Sequence, residues 1–281
     1  MNLLDIDELT SNQITDIFDL ADKLRFGKEE LSLSGRTFIL FFPESSLRTR
    51  ITFEKGIKDL GGQCILFPPD ALDKRERLDD VIKYTENWAD GVIIRHPQFS
   101  KIKELSRQSS IPVINAMTSD NHPCEILSDL YTISKMKENY KELVYTFVGH
   151  AGNISRSWMK IAKVMNLQFH HVCISGQELG EQSRNYQFHT NLEEILPKSD
   201  VILTDSLPNE LRTNEYISKY QITLDRMKLT KKGSILNPCP PFYRNEEVSE
   251  DAVSSNYFVG HAFKKNLIHV QQAVILYCLN N

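Results

Sequence analysis

TFILFFPESSLRTRITFEKGI, residues 37–57, is the stretch that decides the fold class. Its opening TFILFF (37–42) is a short apolar run, the pattern of a strand covered on both faces. Pro43 ends the run, because proline brings no N–H to a sheet. Ser45 or Ser46 can cap a helix whose first turn carries Arg48, Thr49 and Arg50. Similar runs follow at QCILF (63–67), GVII (91–94) and IPVIN (111–115), with helix-like stretches between them. Four buried strands with crossover helices predict a parallel sheet.

Before this series, Asp5 and Asp7 offer caps to a helix in which Leu9, Ile14, Phe18, Ala21 and Leu24 recur at helical spacing until Gly27. After it, Ile126, Leu127, Leu130, Ile133 and Met136 predict a helix over 123–137 that leads to a second strand series. The members are LVYTFVG (143–149), FHHVCI (169–174), DVILT (200–204) and GSILN (233–237). The polar segment 175–191 reads as a loop with some helix. The run from Lys264 to Leu279 places Leu267, Val270, Val274 and Leu276 on one face of a last helix. The expected fold class is therefore α/β, with two domains that each hold a parallel sheet flanked by helices. The expected boundaries are 1–135 and 140–258, with 262–281 packing back.

The 281 residues suit two cores of roughly 130 residues each. Hydrophobic residues make up 41% and charged residues 25%, which excludes a disordered or fibrous chain. The net charge of −4, with lysines and arginines dispersed, leaves no basic field for nucleic acid or acidic lipid. MNLLDIDELT is acidic where a secretion signal is basic, and no apolar run reaches membrane length, so we expect a cytoplasmic protein. Five scattered cysteines without a C-x-x-C pair predict neither a disulfide frame nor a metal site.

Ligands of open parallel sheets bind beyond the carboxyl ends of the strands, where helix N-termini present free amides. Two guanidiniums, hydroxyls and amides after 37–42 would form a cradle for a phosphate. SSLRTR with TFE, followed by LGG (60–62), resembles the S-T-R-T-R signature of the aspartate/ornithine carbamoyltransferase family, whose members bind carbamoyl phosphate there. Further similarities come in family order: DKRERLDD (73–80), Arg95-His96-Pro97, His122-Pro123-Cys124-Glu125, VGHAGNISRSW (148–158) and NPCPPF (237–242). The resemblance implies an active site in a cleft between the domains and no cofactor. It also implies a homotrimer with shared sites, in which the Lys74 loop reaches a neighbour. Carbamoyl phosphate would be held by Ser46, Leu47, Arg48, Thr49, Arg50, Lys74, Arg95, His122, Glu125, Cys239 and Pro240. Arg95, His122 and Arg48 would be the catalytic groups, polarising the carbamoyl oxygen as it becomes an oxyanion.

Aspartate-using relatives place arginines where this chain has Asn153 and Asp205. A carboxylate there favours a cationic second amine by about 4 kcal/mol at close range and intermediate dielectric. The acceptor thus resembles ornithine or a related diamine-type amino acid, bound by Asn153, Asp205 and Asn209. The departures are DSLPNELR (205–212) in place of the ornithine-type W-x-S-M-G loop, Pro238 in place of a reactive-site cysteine, and Glu125 in place of glutamine. An ionised Glu125 would weaken donor binding unless it is protonated or paired. Glu125 leaves open a catalytically silent member that binds a phosphorylated metabolite or an active partner subunit. A nucleotide-dependent dehydrogenase is disfavoured, because G-x-x-G-N lacks the dinucleotide spacing.

Overall fold

The computed structural model describes residues 1–27 and 32–281 and divides into two compact units, Met1–Ile133 with Lys264–Asn281, and Ser134–Phe263. In the first unit, α1 (Ser11–Phe26) starts at a capping box between Thr10 and Gln13 and stops at Gly27, whose φ of 60° is left-handed. Asp5 caps only the short turn Ile6–Glu8 before it, so the helix starts later than the acidic residues suggest. There follow β1 (Thr37–Phe41), α2 (Leu47–Asp59), β2 (Gln63–Phe67), α3 (Leu78–Thr85), β3 (Gly91–Arg95), α4 (Phe99–Arg107), β4 (Val113–Met117) and α5 (Pro123–Met136).

The four strands are parallel in the order β2-β1-β3-β4. Ile39, Phe41, Val92, Ile94 and Val113 share a core with α3 and α4 residues such as Ile82 and Ile102. Phe38, Leu40, Ile93 and Ile114 alternate with them and are equally buried, as in a sheet covered on both faces. β2 lies at the edge and exposes Ile65 and Phe67.

The LGG at the end of α2 has a steric reason. Gly61 has a φ of 82°, and a Cβ on Gly62 would stand 2.7 Å from Ile57 Cγ2 and 3.1 Å from Leu33 Cβ. Gly62→Ala is therefore expected to cost about 1–3 kcal/mol through overpacking. Urea unfolding reads this as a lowered midpoint; an unchanged midpoint would refute the close approach.

The chain passes into the second unit within the last turn of α5. Its elements are β5 (Val144–Val148), α6 (Asn153–Met165), β6 (Gln168–Val172), β7 (Gln187–His189), β8 (Val201–Thr204), α7 (Asn214–Tyr220), α8 (Leu224–Lys228), β9 (Ile235–Pro238) and α9 (Glu250–Val253). All five strands are parallel, in the order β7-β6-β5-β8-β9. The segment 175–191 holds the three-residue edge strand β7 and no helix, which corrects the expectation there.

The last helix, α10 (Leu267–Asn280), belongs to the first unit and packs on α1 and α2. It begins after a 3-10 turn, His261–Asn266, later than the apolar pattern implied. It is also buried nearly all round, from Val270 to Cys278, and not along one face. Gln272 Nε2 donates to the Gly56 carbonyl of α2 at 2.8 Å, so this polar side chain enters the core with a backbone partner.

Candidate functional site

In both sheets the strand order reverses at one point, and several of the residues singled out in the sequence emerge there. In the first unit β1 is flanked by β2 and β3, with α2 contacting α10 while α3 and α4 share the opposite core, so the carboxyl ends of β1 and β3 open a crevice. Ser46 takes the N-cap position of α2, yet its hydroxyl does not cap; it accepts a hydrogen bond from Arg95 Nη1 at 3.0 Å. The amides of the first turn of α2 are thereby not consumed by a side-chain cap, and the helix dipole favours an anion at this end.

Arg95 is half-buried at the end of β3, where burial and the neighbouring Arg48 cation both disfavour its charged form. An anion between the two guanidiniums would relieve that repulsion. His122 closes the loop after β4. That loop is braced by Asn121, whose Oδ1 accepts from Asn115 Nδ2 and from Thr118 Oγ1, each at 2.7 Å. Burial first, then Arg95 and Lys264, push the His122 imidazole down to about 4 against the pull of Glu125. It is therefore neutral near pH 7 and acts as a hydrogen-bonding group without net charge.

Glu125 is buried on the first turn of α5, and burial alone would raise its carboxyl. Against this, the Lys264 ammonium, 2.6 Å away, together with His122 and Arg48 holds the carboxyl below its ordinary value. The charge that the sequence left unexplained thus has a partner, although not Arg48 or Arg95 directly. Lys264 also reaches Asp129 at 2.5 Å.

Ser46, Arg48, Arg95, His122 and Glu125 accordingly share one neighbourhood. Thr49 is buried beside them on α2, while Leu47 is exposed. Arg50 turns away, with its Nε 3.7 Å from Glu54 one turn along the helix. Lys74 lies in the exposed segment 73–77, after the turn Pro69–Asp73. The preceding residue is anchored: Asp73 pairs with Lys101 and accepts from His96 Nε2 at 3.1 Å. His96 Nδ1 accepts the Gln98 amide at 3.0 Å, which fixes that tautomer. Arg95 and His96 therefore divide their labour between the crevice and the base of the loop.

In the second unit β5 lies between β6 and β8, and the carboxyl ends of β5, β8 and β9 stand side by side, with Val148 paired to Thr204 and Thr204 to Pro238. The glycine loop after β5 is tight. A Cβ on Gly152 would lie 2.4 Å from His150 Nε2, and His171 Nε2 donates to the Gly149 carbonyl at 2.8 Å. Asn153 follows as the first residue of α6. Asp205 follows β8 and accepts the Ser206 amide at 2.9 Å. Cys239 is buried and its amide donates to the Thr204 carbonyl at 2.9 Å, with Pro240 next in the chain. Asn209 is exposed in the turn Asn209–Leu211.

Two further acids accompany Asp205. Burial, then Glu246 and Asp205, push the Glu247 carboxyl up to about 7. Arg212 answers Glu246 at 2.9 Å and donates to the Leu207 carbonyl, so it ties the 205–212 segment down. This neighbourhood suits a cation. Among the described residues no group of three or more His, Cys, Asp or Glu could hold a metal ion, and no helix is long and apolar enough to cross a membrane.

A family model described as "Aspartate/ornithine carbamoyltransferase, carbamoyl-P binding domain" matches residues 1–135, and one described as "Aspartate/ornithine carbamoyltransferase, Asp/Orn binding domain" matches 141–278. The chain belongs to the aspartate/ornithine carbamoyltransferase family. Its relatives include an ornithine carbamoyltransferase of Akkermansia muciniphila, 31% identical over 98% of this chain and 96% of that one. Another, from Methanobrevibacter smithii, is 28% identical over 99% of both chains. The crystal structure of ornithine carbamoyltransferase from Thermus thermophilus is 26% identical, with a TM-score of 0.89 over 99% of this chain and 98% of that one.

Lys264, Asp129, Glu246 and Glu247 were not singled out in the sequence. Glu246 and Glu247 follow the NPCPPF motif closely, and their adjacency to it was the available signal. Lys264 lies 139 residues from its partner Glu125, and no local pattern links the two.

Proposed function

We propose that this family member is a carbamoyltransferase that moves the carbamoyl group of carbamoyl phosphate to the amine of ornithine or a related diamine-type amino acid. The observation that carries the reading is the convergence of Ser46, Arg48, Arg95 and a neutral His122 at the switch point of the first sheet. The first unit holds the donor. The α2 amides, Ser46, Arg48 and Thr49 take the phosphate, and Arg95 and His122 donate to the carbamoyl oxygen as it gains negative charge. The Glu125 carboxylate accepts from the carbamoyl NH₂. The second unit holds the acceptor, with Asp205 toward its distal cation and Asn153 toward its amino-acid end.

In the transfer, the uncharged amine nitrogen bonds to the carbonyl carbon, the carbon–oxygen bond to phosphate breaks, and the leaving phosphate takes the amine proton. No protein nucleophile is needed, because positioning supplies much of the acceleration. A homotrimer in which Lys74 serves a neighbour's site accords with an exposed 73–77 segment and with the exposed Ile65 and Phe67 on edge strand β2. A cytoplasmic setting accords with five free cysteines.

The test is release of phosphate from carbamoyl phosphate with ornithine and a panel of amines, with the ureido product identified by mass. Turnover with ornithine or a close diamine homologue is expected. Silence with every amine in folded protein, followed by a gain of activity in Glu125→Gln, would favour the catalytically silent alternative.

A further inference from the structure

Glu125 and Asp129 stand one turn apart on the same face of α5, and both are buried. Two carboxylates so placed repel one another, and a shared cation relieves that cost. Lys264 supplies it from the far end of the chain, with its ammonium 2.6 Å from Glu125 and 2.5 Å from Asp129. Its position is fixed by more than these bonds, for Asn266 Nδ2 donates to Thr132 Oγ1 at 3.2 Å. Lys264 and Asn266 are thus fastened to α5 at positions 125, 129 and 132, one continuous stripe of that helix.

Among the described residues, the charged and titratable groups facing Glu125 include Arg48 from α2, Arg95 from β3, His122 and Asp129 with α5, and Lys264 from the turn before α10. Among these named groups, three cations against two carboxylates, with His122 neutral, leave a formal charge of +1. Without Lys264 the sum is zero. With Lys264 absent and glutamine at 125 it is again +1, since Arg48 and Arg95 then face Asp129 alone. We propose that Lys264 is a positioning residue of the donor pocket: bridging Asp129 and Glu125, it fixes Glu125 as a charged, accept-only group beside His122 and Arg48 and preserves the net positive charge that a phosphate dianion requires. The inference rests on the carbamoyltransferase reading, because it assigns the pocket to the phosphorylated donor.

The sign of the pH effect follows. In the wild type Glu125 lies below its ordinary value, so it stays ionised throughout the neutral range. In Lys264→Met the two carboxyls face each other without a cation, and one of them holds its proton to higher pH. Below that titration the pocket regains its charge; above it, the pocket loses it and repels phosphate.

The experiment titrates inorganic phosphate calorimetrically into wild type, K264M, K264R and E125Q/K264M from pH 6 to 9 at constant ionic strength. Each affinity is divided by the wild-type value, which removes the titration of phosphate itself. The expected K264M ratio falls on the order of tenfold between the ends of this range. Over the same range K264R and E125Q/K264M stay flat and within a few-fold of wild type. With turnover, K264M raises the donor KM more than it lowers kcat. A flat K264M ratio accompanied only by a lower melting temperature makes the lysine a structural tie and overturns the proposal. Should K264M fail to fold, weak phosphate binding by E125Q/K264M overturns it equally. The two readings separate cleanly: phosphate binding with the expected ratios but no carbamoylated amine rejects the reaction and keeps the lysine's role. Turnover with a flat ratio does the reverse.

Discussion

Arg95→Ala lowers kcat for carbamoyl transfer by about 10²–10³, the loss that follows removal of one donor from a developing oxyanion. The side chain leaves the end of β3, is half-buried, and is oriented by its bond to Ser46, so it arrives in place before any substrate does. The fold survives the change, because burial and the Arg48 cation both disfavour the charge on Arg95 and its removal relieves that cost. Unchanged or raised thermal stability beside the kinetic loss is the combination expected. Arg95→Lys recovers only part of the rate, since an ammonium keeps the charge and loses the planar fork. Steady-state kinetics with varied carbamoyl phosphate checks this, and a kcat for the alanine variant near wild type would remove Arg95 from the chemistry.

Asp205→Asn acts on the other substrate. Asparagine keeps an oxygen for the Ser206 amide, so the segment after β8 retains its shape while the charge is lost. Against a cationic side chain at about 4 Å and intermediate dielectric, one charge is worth about 4 kcal/mol, and kcat/KM for ornithine falls on the order of 10²–10³. The donor KM stays unchanged. A second readout tests the same electrostatics without substrate. Glu247 is raised to about 7, in part by Asp205, so its contribution to stability is present below pH 4.5 and is lost as the pH rises through about 7. Asp205→Asn lowers that carboxyl and shifts the loss to lower pH, which urea unfolding across pH 4.5–8 resolves. An unaltered profile would place Asp205 and Glu247 too far apart to cooperate.

Eight of the nine strands among the described residues were legible because each is an apolar run bounded by polar residues, and β1, β3 and β5 match their runs to within a residue or two. β7 was not, since QFH is three residues long inside a polar segment and owes its pairing to β6 alone. The end of β1 was legible in Pro43, but the use of Ser46 was not: its hydroxyl could cap α2 or meet Arg95, and only packing decides between them. Arg48 and Arg50 look equivalent in SSLRTR. Two residues along a helix point them some 200° apart, and Glu54 takes the second. Glu125 stood out as an unpaired acid because its partner is specified by tertiary structure, which leaves no local trace.

Residues 264–281 complete a body whose other members end at Ile133. A ribosome therefore releases the whole of Ser134–Phe263 before α1 and α2 receive the helix that covers them, and before two acids on α5 receive their lysine. A nascent chain that has reached only Phe263 therefore holds every strand of the second unit while α1 and α2 still lack the helix that covers them.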